Sequence, residues 1–311
     1  MIQSIIVTFH KNKDMLMYCL KRLVETTPEN IEIIIVGNNV NHTELDFEIN
    51  LPKCTYHKIC ENIQYPKAIN YGVAQSKGEI ITFVDADIFV MEHWYDALLK
   101  CFLSSPQVGA VSAKLINPLN QRILDFGIMY SRFNSAHTLM GAKYDHPLAM
   151  KDRKVQAFCS AILMTKKSVF NNIGGLDEEI PYAYTDCDYC IRLTEHGYEN
   201  WVAAQACAYH KGGTSQVNSK TNFSYYHSDA KGIFAMKDYL KLQYDLEKWY
   251  SKACHYARMT YNNIAAKYFL IDMSTMYDRH SYYDMISQYL NIEYLDIIEQ
   301  PNTSRDSQHI V

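Results

Sequence analysis

A mainly parallel α/β sheet covered by helices on both faces is the fold that this 311-residue sequence predicts, and three observations predict it. Residues 2–9 (IQSIIVTF) and 31–36 (IEIIIV) are almost wholly apolar and β-branched, which suits strands buried on two sides rather than one. Helical periodicity alternates with such runs. Strand, helix, strand, loop, helix and strand follow within roughly ninety residues, the order of a doubly wound half. Thr8, Gly37 to Asn39 and Asp85 to Asp87 fall at the carboxyl ends of the runs, where such sheets bind ligands.

The elements follow in order. The first helix starts after Asn12, whose side chain suits a cap, and Met15, Cys19 and Leu23 recur every four residues along it. A polar segment follows the second strand, then a helix over 66–76. Gly78 precedes the run ITFVDADIFV at 81–90, read as a buried strand ending in two carboxylates. Over 108–215, short strands (VGAVSAKL, AFCSAILMT) alternate with Gly- and Asp-rich turns. From about residue 223 the pattern is helical, with Ile233, Met236, Leu240 and Tyr244 on one face. Tyr-rich helical segments follow, and the end, PNTSRDSQHIV, is polar and expected to fray.

Composition excludes several classes. With 48% hydrophobic and 21% charged residues the chain is ordinary globular protein, and a net charge of −4 gives no electrostatic reason to bind nucleic acid. Nine cysteines are scattered rather than set as a small disulfide framework, which predicts reduced thiols and a cytoplasmic setting. No signal-peptide pattern opens the sequence, and no run approaches the ~20 apolar residues of a membrane span. The 25 tyrosines suggest amphipathic surfaces and name no function.

Asp85 and Asp87 carry the most chemistry. Two carboxylates at the mouth of a buried strand are costly unless a cation or a hydrogen-bond network compensates them, so they suggest Mg²⁺ or Mn²⁺ shared with a phosphorylated ligand. The competing reading is a turn in which one Asp caps the next helix and the other faces water. Asp186 and Asp188 lie near an apparent helix start, where the dipole keeps carboxylates ionised. Cys187 and Cys190, with Cys207 and His210, have zinc-ribbon spacing, but the first pair sits in that helix and the second on an apolar strand with no turn between its members. Lys237, Lys241, Lys248, Lys252 and Arg258 line a helical stretch that reads either as a helix packed on the main domain with a solvated charged face or as a peripheral contact with anionic lipid.

Four blocks occur in a telling order: SIIVTFHKNKDMLMYCLKRL, EIIIVGNNV, NIQYPKAINYGVAQSKGEIITFVDAD and GGLDEEIPYAYTDCDYCIRLTEHGYENWVAAQACAYHKGGTS. From residue 3 to about 215 the chain resembles the family 2 glycosyltransferases, whose fold is the GT-A (nucleotide-diphospho-sugar transferase) fold. The resemblance implies a mixed, mainly parallel sheet flanked by helices, with a C-terminal helical extension over 216–311. It implies a catalytic domain over 1–215, divided into a nucleotide-sugar half (1–107) and an acceptor half (108–215). The activity implied is inverting, metal-dependent transfer of a sugar from a nucleotide-sugar, a UDP-sugar above all. The acceptor would be a glycan, glycolipid or protein-linked glycan, as in polysaccharide biosynthesis.

The same resemblance assigns donor contacts to Thr8, Phe9, Asn38, Asn39, Lys67, Asn70, Asp85, Ala86 and Asp87. Asp87 would hold Mn²⁺ or Mg²⁺, while Asp85 would meet the ribose, the metal or a metal-bound water. His210 would complete the metal or diphosphate contacts, unless it is a structural histidine at a strand end. Asp186 would be the base that deprotonates the acceptor, a role any inverting transferase needs filled. Asp188 would orient Arg192 or cap the helix. A lipid-linked acceptor would draw the cytoplasmic enzyme to the inner face of the membrane.

Two positions depart from the family pattern. Gly37 stands where an Asp usually reads the base, which leaves base recognition to Asn38 or Asn39. Thr185 replaces the usual Glu of the acceptor block. The absence of a Gln-x-x-Arg-Trp motif disfavours a processive synthase. A sugar-nucleotide pyrophosphorylase shares the sheet and the metal but wants a Gly-rich loop where this chain has Thr8-Phe-His-Lys-Asn. A catalytically inactive binding module on the same fold is the reading from another class, and the retained Asp85, Asp87 and Asp186 argue against it.

Overall fold

The computed structural model describes residues 2–39, 47–130, 135–180 and 185–210. In chain order the elements are β1 (Gln3–Phe9), α1 (Lys13–Thr26), β2 (Ile31–Asn38), β3 (Cys54–Ile59), α2 (Tyr65–Gln75), β4 (Ile80–Asp85), β5 (Ile88–Val90), α3 (Trp94–Phe102) and β6 (Val108–Ile116). There follow β7 (Ile123–Asp125), β8 (Ile128–Tyr130), β9 (Ser135–His137), β10 (Arg153–Val155), β11 (Ile162–Lys166), α4 (Lys167–Asn172), α5 (Thr185–Glu195) and β12 (Glu199–His210). The main sheet runs β10-β12-β6-β11-β4-β1-β2-β3, with β5 added to β12 and β7 to β6. The ladders β3–β2–β1–β4 and β12–β6 are parallel, and β11 enters antiparallel between β4 and β6.

Alternation explains why the strand runs are almost wholly apolar. Ile6, Ile81 and Phe83 pack into one core with α2, α4 and α5, while Ile5, Val7, Ile80 and Val84 pack into another with α1 and α3. Both faces are dry, so the few polar residues inside β1 and β4, Ser4 and Thr82, are small and buried. Asn12 caps α1 as its side chain suggests, accepting from the Met15 amide at 3.2 Å.

Three expectations need revision. The polar segment after β2 contains β3, an edge strand with half-exposed side chains and therefore no apolar run to betray it. The stretch 81–90 is two strands: β4 stops at Asp85, and β5 resumes at Ile88 in a different pairing. Only 162–166 of the AFCSAILMT region is strand. Ahead of it, the Cys159 and Ser160 amides bond to carboxylates rather than to a neighbouring strand. The eight cysteines among the described residues form no disulfide, and no described helix is long and apolar enough to cross a membrane. The expected helical extension, with its basic face from Lys237 to Arg258, lies outside the described residues.

Candidate active site

The change of partner between β4 and β5 builds the first half of the site. Asp85 ends the parallel strand opposite Thr8, and its amide donates to the Ala161 carbonyl at 2.9 Å. The chain turns through Ala86 and Asp87, and β5 then pairs antiparallel with β12, setting Ile88 opposite His210. A twelve-residue strand thereby carries a histidine from more than a hundred residues further along the chain to the turn between the two aspartates. Candidate ligand atoms of Asp85, Asp87 and His210 all lie within 4.8 Å of one another, and His210 Nε2 is 3.4 Å from Asp87 Oδ1.

The electrostatics favour a cation there. Burial and the charge of Asp87 push the Asp85 carboxyl up to about 7, with His210 opposing. For His210 burial disfavours the imidazolium, yet Asp87 and then Asp85 outweigh that and hold its pKa above the ordinary value. Two crowded carboxylates and an imidazole at the open end of a sheet are a donor set suited to Mn²⁺ or Mg²⁺. Helix α3 starts after His93 as its cap, so neither aspartate caps it. Among the described residues this is the one group of three or more metal-ligating side chains. Cys187 and Cys190 are buried within α5 and the zinc arrangement does not form.

A single turn, Cys159–Ser160–Ala161, gathers the second half. Its Ala161 carbonyl takes the Asp85 amide, its Ser160 amide donates to Asp186 Oδ2 at 3.4 Å, and its Cys159 amide donates to Asp125 Oδ2 at 3.2 Å. The Ser160 hydroxyl is 3.4 Å from the hydroxyl of half-buried Tyr65. Asp186, in the first turn of α5, also accepts the Cys187 amide at 2.8 Å. Burial raises its pKa, and Asp125 adds to the rise, against the opposing pull of the Cys187 amide, His137 and the Ser160 amide. Such a carboxyl is better poised to take a proton than a solvated one.

Asp188, two residues on, has a different setting. It is fully buried, and its Oδ2 accepts from Arg192 Nε at 2.9 Å and Nη2 at 2.7 Å. Arg192 Nη1 in turn donates to the Ile173 carbonyl at 2.7 Å, tying α5 to the end of α4.

The donor-side residues are less uniform. Thr8 and buried Phe9 end β1, and Phe9 joins Phe47 and Tyr56 in an aromatic cluster. The Asn38 side chain is already engaged: its Oδ1 accepts the Ile63 amide at 2.8 Å and its Nδ2 donates to Asn62 at 3.1 Å. Asn39 adopts the left-handed region at φ 80°, and its amide donates to Ile59. Lys67 is exposed in the first turn of α2. Asn70 is committed to the loop before α5, donating to the Leu176 carbonyl at 2.9 Å and to Glu178 at 3.0 Å while accepting the Leu176 amide at 3.0 Å.

Gly37 now has a structural reason. A Cβ there would lie 2.7 Å from Tyr56 Cε2 and 2.9 Å from Cζ, and Tyr56 is braced by Phe9 and Phe47. Gly37→Ala is therefore expected to cost about 1–3 kcal/mol by overpacking, read as a lower denaturation midpoint.

Sequence reasoning missed Tyr65, Ser160, Asp125 and His137. His137 Nδ1 lies 2.7 Å from Asp125 Oδ1, and Asp125 is almost wholly buried. No fixed spacing announces this pair. Its sequence signal is a lone Asp closing an apolar run, Ile123-Leu-Asp125, which a strand end without function would show equally.

With the geometry in place, comparisons with known proteins are informative. The family model for glycosyl transferase family 2 matches residues 4–174. The O-antigen biosynthesis protein RfbC of Myxococcus xanthus is 25% identical over 227 residues, covering 68% of this chain and 17% of that protein. The dTDP-rhamnosyl transferase RfbF of Shigella flexneri is 27% identical over 201 residues, covering 63% of this chain and 64% of that protein. The chain thus spans less than two thirds of either relative's length. Among solved structures, GalNAc-T7 with UDP, GalNAc and Mn²⁺ superposes with a TM-score of 0.60 at 14% identity, covering 93% of this chain and 58% of that one.

Proposed function

The chain belongs to glycosyl transferase family 2 and has the GT-A fold, and from that premise we propose that it transfers a sugar, with inversion, from a pyrimidine nucleotide-diphosphate donor to a surface glycan or glycolipid. The observation that carries the reading is the Asp85–Asp87–His210 group at the carboxyl end of β4. Those three side chains would hold Mn²⁺ or Mg²⁺, whose charge would offset the negative charge that gathers on a departing diphosphate. Thr8, Phe9 and Ala86 border the same mouth and suit the nucleotide. UDP was the donor expected from the sequence, and the printed name of the Shigella relative adds dTDP as a candidate base. The printed names of both bacterial relatives favour a polysaccharide acceptor.

On the acceptor side, Asp186 takes the proton of the attacking hydroxyl as that oxygen closes on the anomeric carbon. Its two backbone donors fix the carboxylate's orientation, and Tyr65, beside Ser160, lies close enough to feel the charges of both Asp186 and Asp85. The site draws on both expected halves of the domain, since His210 joins the two aspartates from the end of β12. A thermal-shift series of UDP-, dTDP- and GDP-sugars with Mn²⁺ tests the reading. A donor at a hundredfold excess over its Kd adds about 2.7 kcal/mol of stability, and the effect should vanish with chelator. A panel that leaves the midpoint flat, with and without Mn²⁺, rules the reading out.

Base recognition yields a separate expectation. Because the Asn38 amide holds the Asn62–Ile63 turn, Asn38→Ala should cost about 1 kcal/mol of stability by leaving the half-buried Ile63 amide without its acceptor. It should weaken UDP and dTDP binding alike. Loss of uracil preference alone would instead show that Asn38 reads the base directly.

A further inference from the structure

We propose that His137, fixed by Asp125, is a positioning residue of the acceptor site whose ring charge cancels that of Asp125 and so keeps the neighbouring Asp186 available as a carboxylate. This inference rests on Asp186 being the base, as argued above. Its foundation is geometric. Asp125 and Asp186 hang from consecutive amides of one turn, Asp125 Oδ2 on Cys159 at 3.2 Å and Asp186 Oδ2 on Ser160 at 3.4 Å. Two ionised carboxylates so placed oppose each other. Asp125 is 1% exposed and cannot shed its charge into water. It also accepts the Gly127 amide at 3.4 Å, and its remaining oxygen takes His137 Nδ1 at 2.7 Å. An imidazolium there makes the pair neutral as Asp186 meets it.

The neighbourhood leaves this work to His137. Facing Asp186 are Asp85 of β4, Tyr65 of α2, Asp125 of β7, His137 of β9, Cys159 of the turn, and Cys187 and Cys190 of its own helix. His137 is the one of these side chains that can carry positive charge in hydrogen-bond contact with Asp125; His210, in the metal group, adds a weaker attraction to Asp125 and to Asp85. Burial works against its protonated form, but Asp125 and then Asp186 outweigh that and raise its pKa above the ordinary value. With Nδ1 committed to Asp125, the 39% exposed side chain leaves Nε2 as the nitrogen open to an acceptor hydroxyl.

The sign of the effect follows. Below the His137 pKa its charge holds Asp186 deprotonated, and above it the ring is neutral. Removing the ring should therefore move the acid limb of activity to higher pH, with variant and parent converging in alkali.

Two measurements on the full chain test this. Imidazole ¹⁵N–¹H spectra taken from about pH 5 to pH 8 give the His137 midpoint, which should fall in both Asp125→Asn and Asp186→Asn. Turnover of UDP-glucose, UDP-N-acetylglucosamine and dTDP-rhamnose with Mn²⁺, water serving as acceptor, gives the activity profile. His137→Gln keeps an N–H for Asp125 but no charge, and its acid limb should rise by about one pH unit. A limb that stays in place, or a His137 midpoint unmoved by Asp186→Asn, overturns the proposal. If the unaltered chain turns over none of these donors, the sugar-transfer reading is what fails. The imidazole titration still decides whether His137 and Asp186 share charge.

Discussion

Asp87→Ala is expected to abolish sugar transfer, and Asp87→Asn to do so nearly as completely. Alanine removes one of three converging ligand groups, and asparagine keeps the shape but not the charge that a hard divalent ion requires. Metal stabilisation of the departing diphosphate is worth several kcal/mol, and each 1.4 kcal/mol is tenfold in rate, so the loss should be about a thousandfold or more. The stability effect has the opposite sign. In the metal-free protein Asp87 crowds the Asp85 carboxyl and pushes it up to about 7, so neutralising position 87 relieves a repulsion. At a pH where His210 is neutral, so that no ion pair with Asp87 is lost, Asp87→Asn should then melt no lower than the parent without metal, yet gain nothing from Mn²⁺ and UDP. Chelator should bring the parent to the variant's level of activity. Full turnover in excess chelator, or a Mn²⁺-dependent rise in the variant's melting temperature, would remove the metal from the mechanism.

How much of this was legible in the sequence depends on what each element presents to solvent. Strands β1, β2 and β4 announce themselves because two dry faces demand nearly unbroken apolar runs, and the polar ends of β1 and β4 meet side by side at Thr8 and Asp85. Strand β3 was silent, since an edge strand with half-exposed side chains has the composition of a loop. The i, i+2 spacing of Asp85 and Asp87 was visible, but the reason they converge with His210 was not. That reason is the β5–β12 pairing, a contact between segments more than a hundred residues apart with no local signature. The acceptor side was harder still. Asp186 was found by its place in a recognisable block, whereas Asp125 and His137 meet through a hairpin and a turn that only the folded chain assembles.

Asp186 and Asp188, two residues apart on α5, provide the sharpest separation of chemistry from structure. Asp186→Asn should leave donor and metal affinity nearly unchanged while cutting turnover about 10² to 10⁴-fold, because the acceptor's proton then has no positioned base in the transition state. The fold should tolerate the change at a modest cost: the amide oxygen can still accept the closer Cys187 amide at 2.8 Å, while the amide nitrogen replaces the oxygen that took the longer Ser160 bond at 3.4 Å. Asp188→Asn should do the reverse. Its carboxylate is fully buried against the Arg192 guanidinium, and removing one partner of such a pair leaves the other charge uncompensated, typically at about 3–5 kcal/mol. A lower denaturation midpoint should therefore come with a milder kinetic loss, the latter passed on through the displaced start of α5. Replacing both Asp188 and Arg192 with apolar residues should recover part of the stability without touching the base, an outcome a catalytic Asp188 would not permit. If Asp188→Asn instead folds normally and loses turnover, the base moves one helical position pair along α5. If both variants also lose the donor, the acidic pair shapes the nucleotide pocket and the proton must leave by another group.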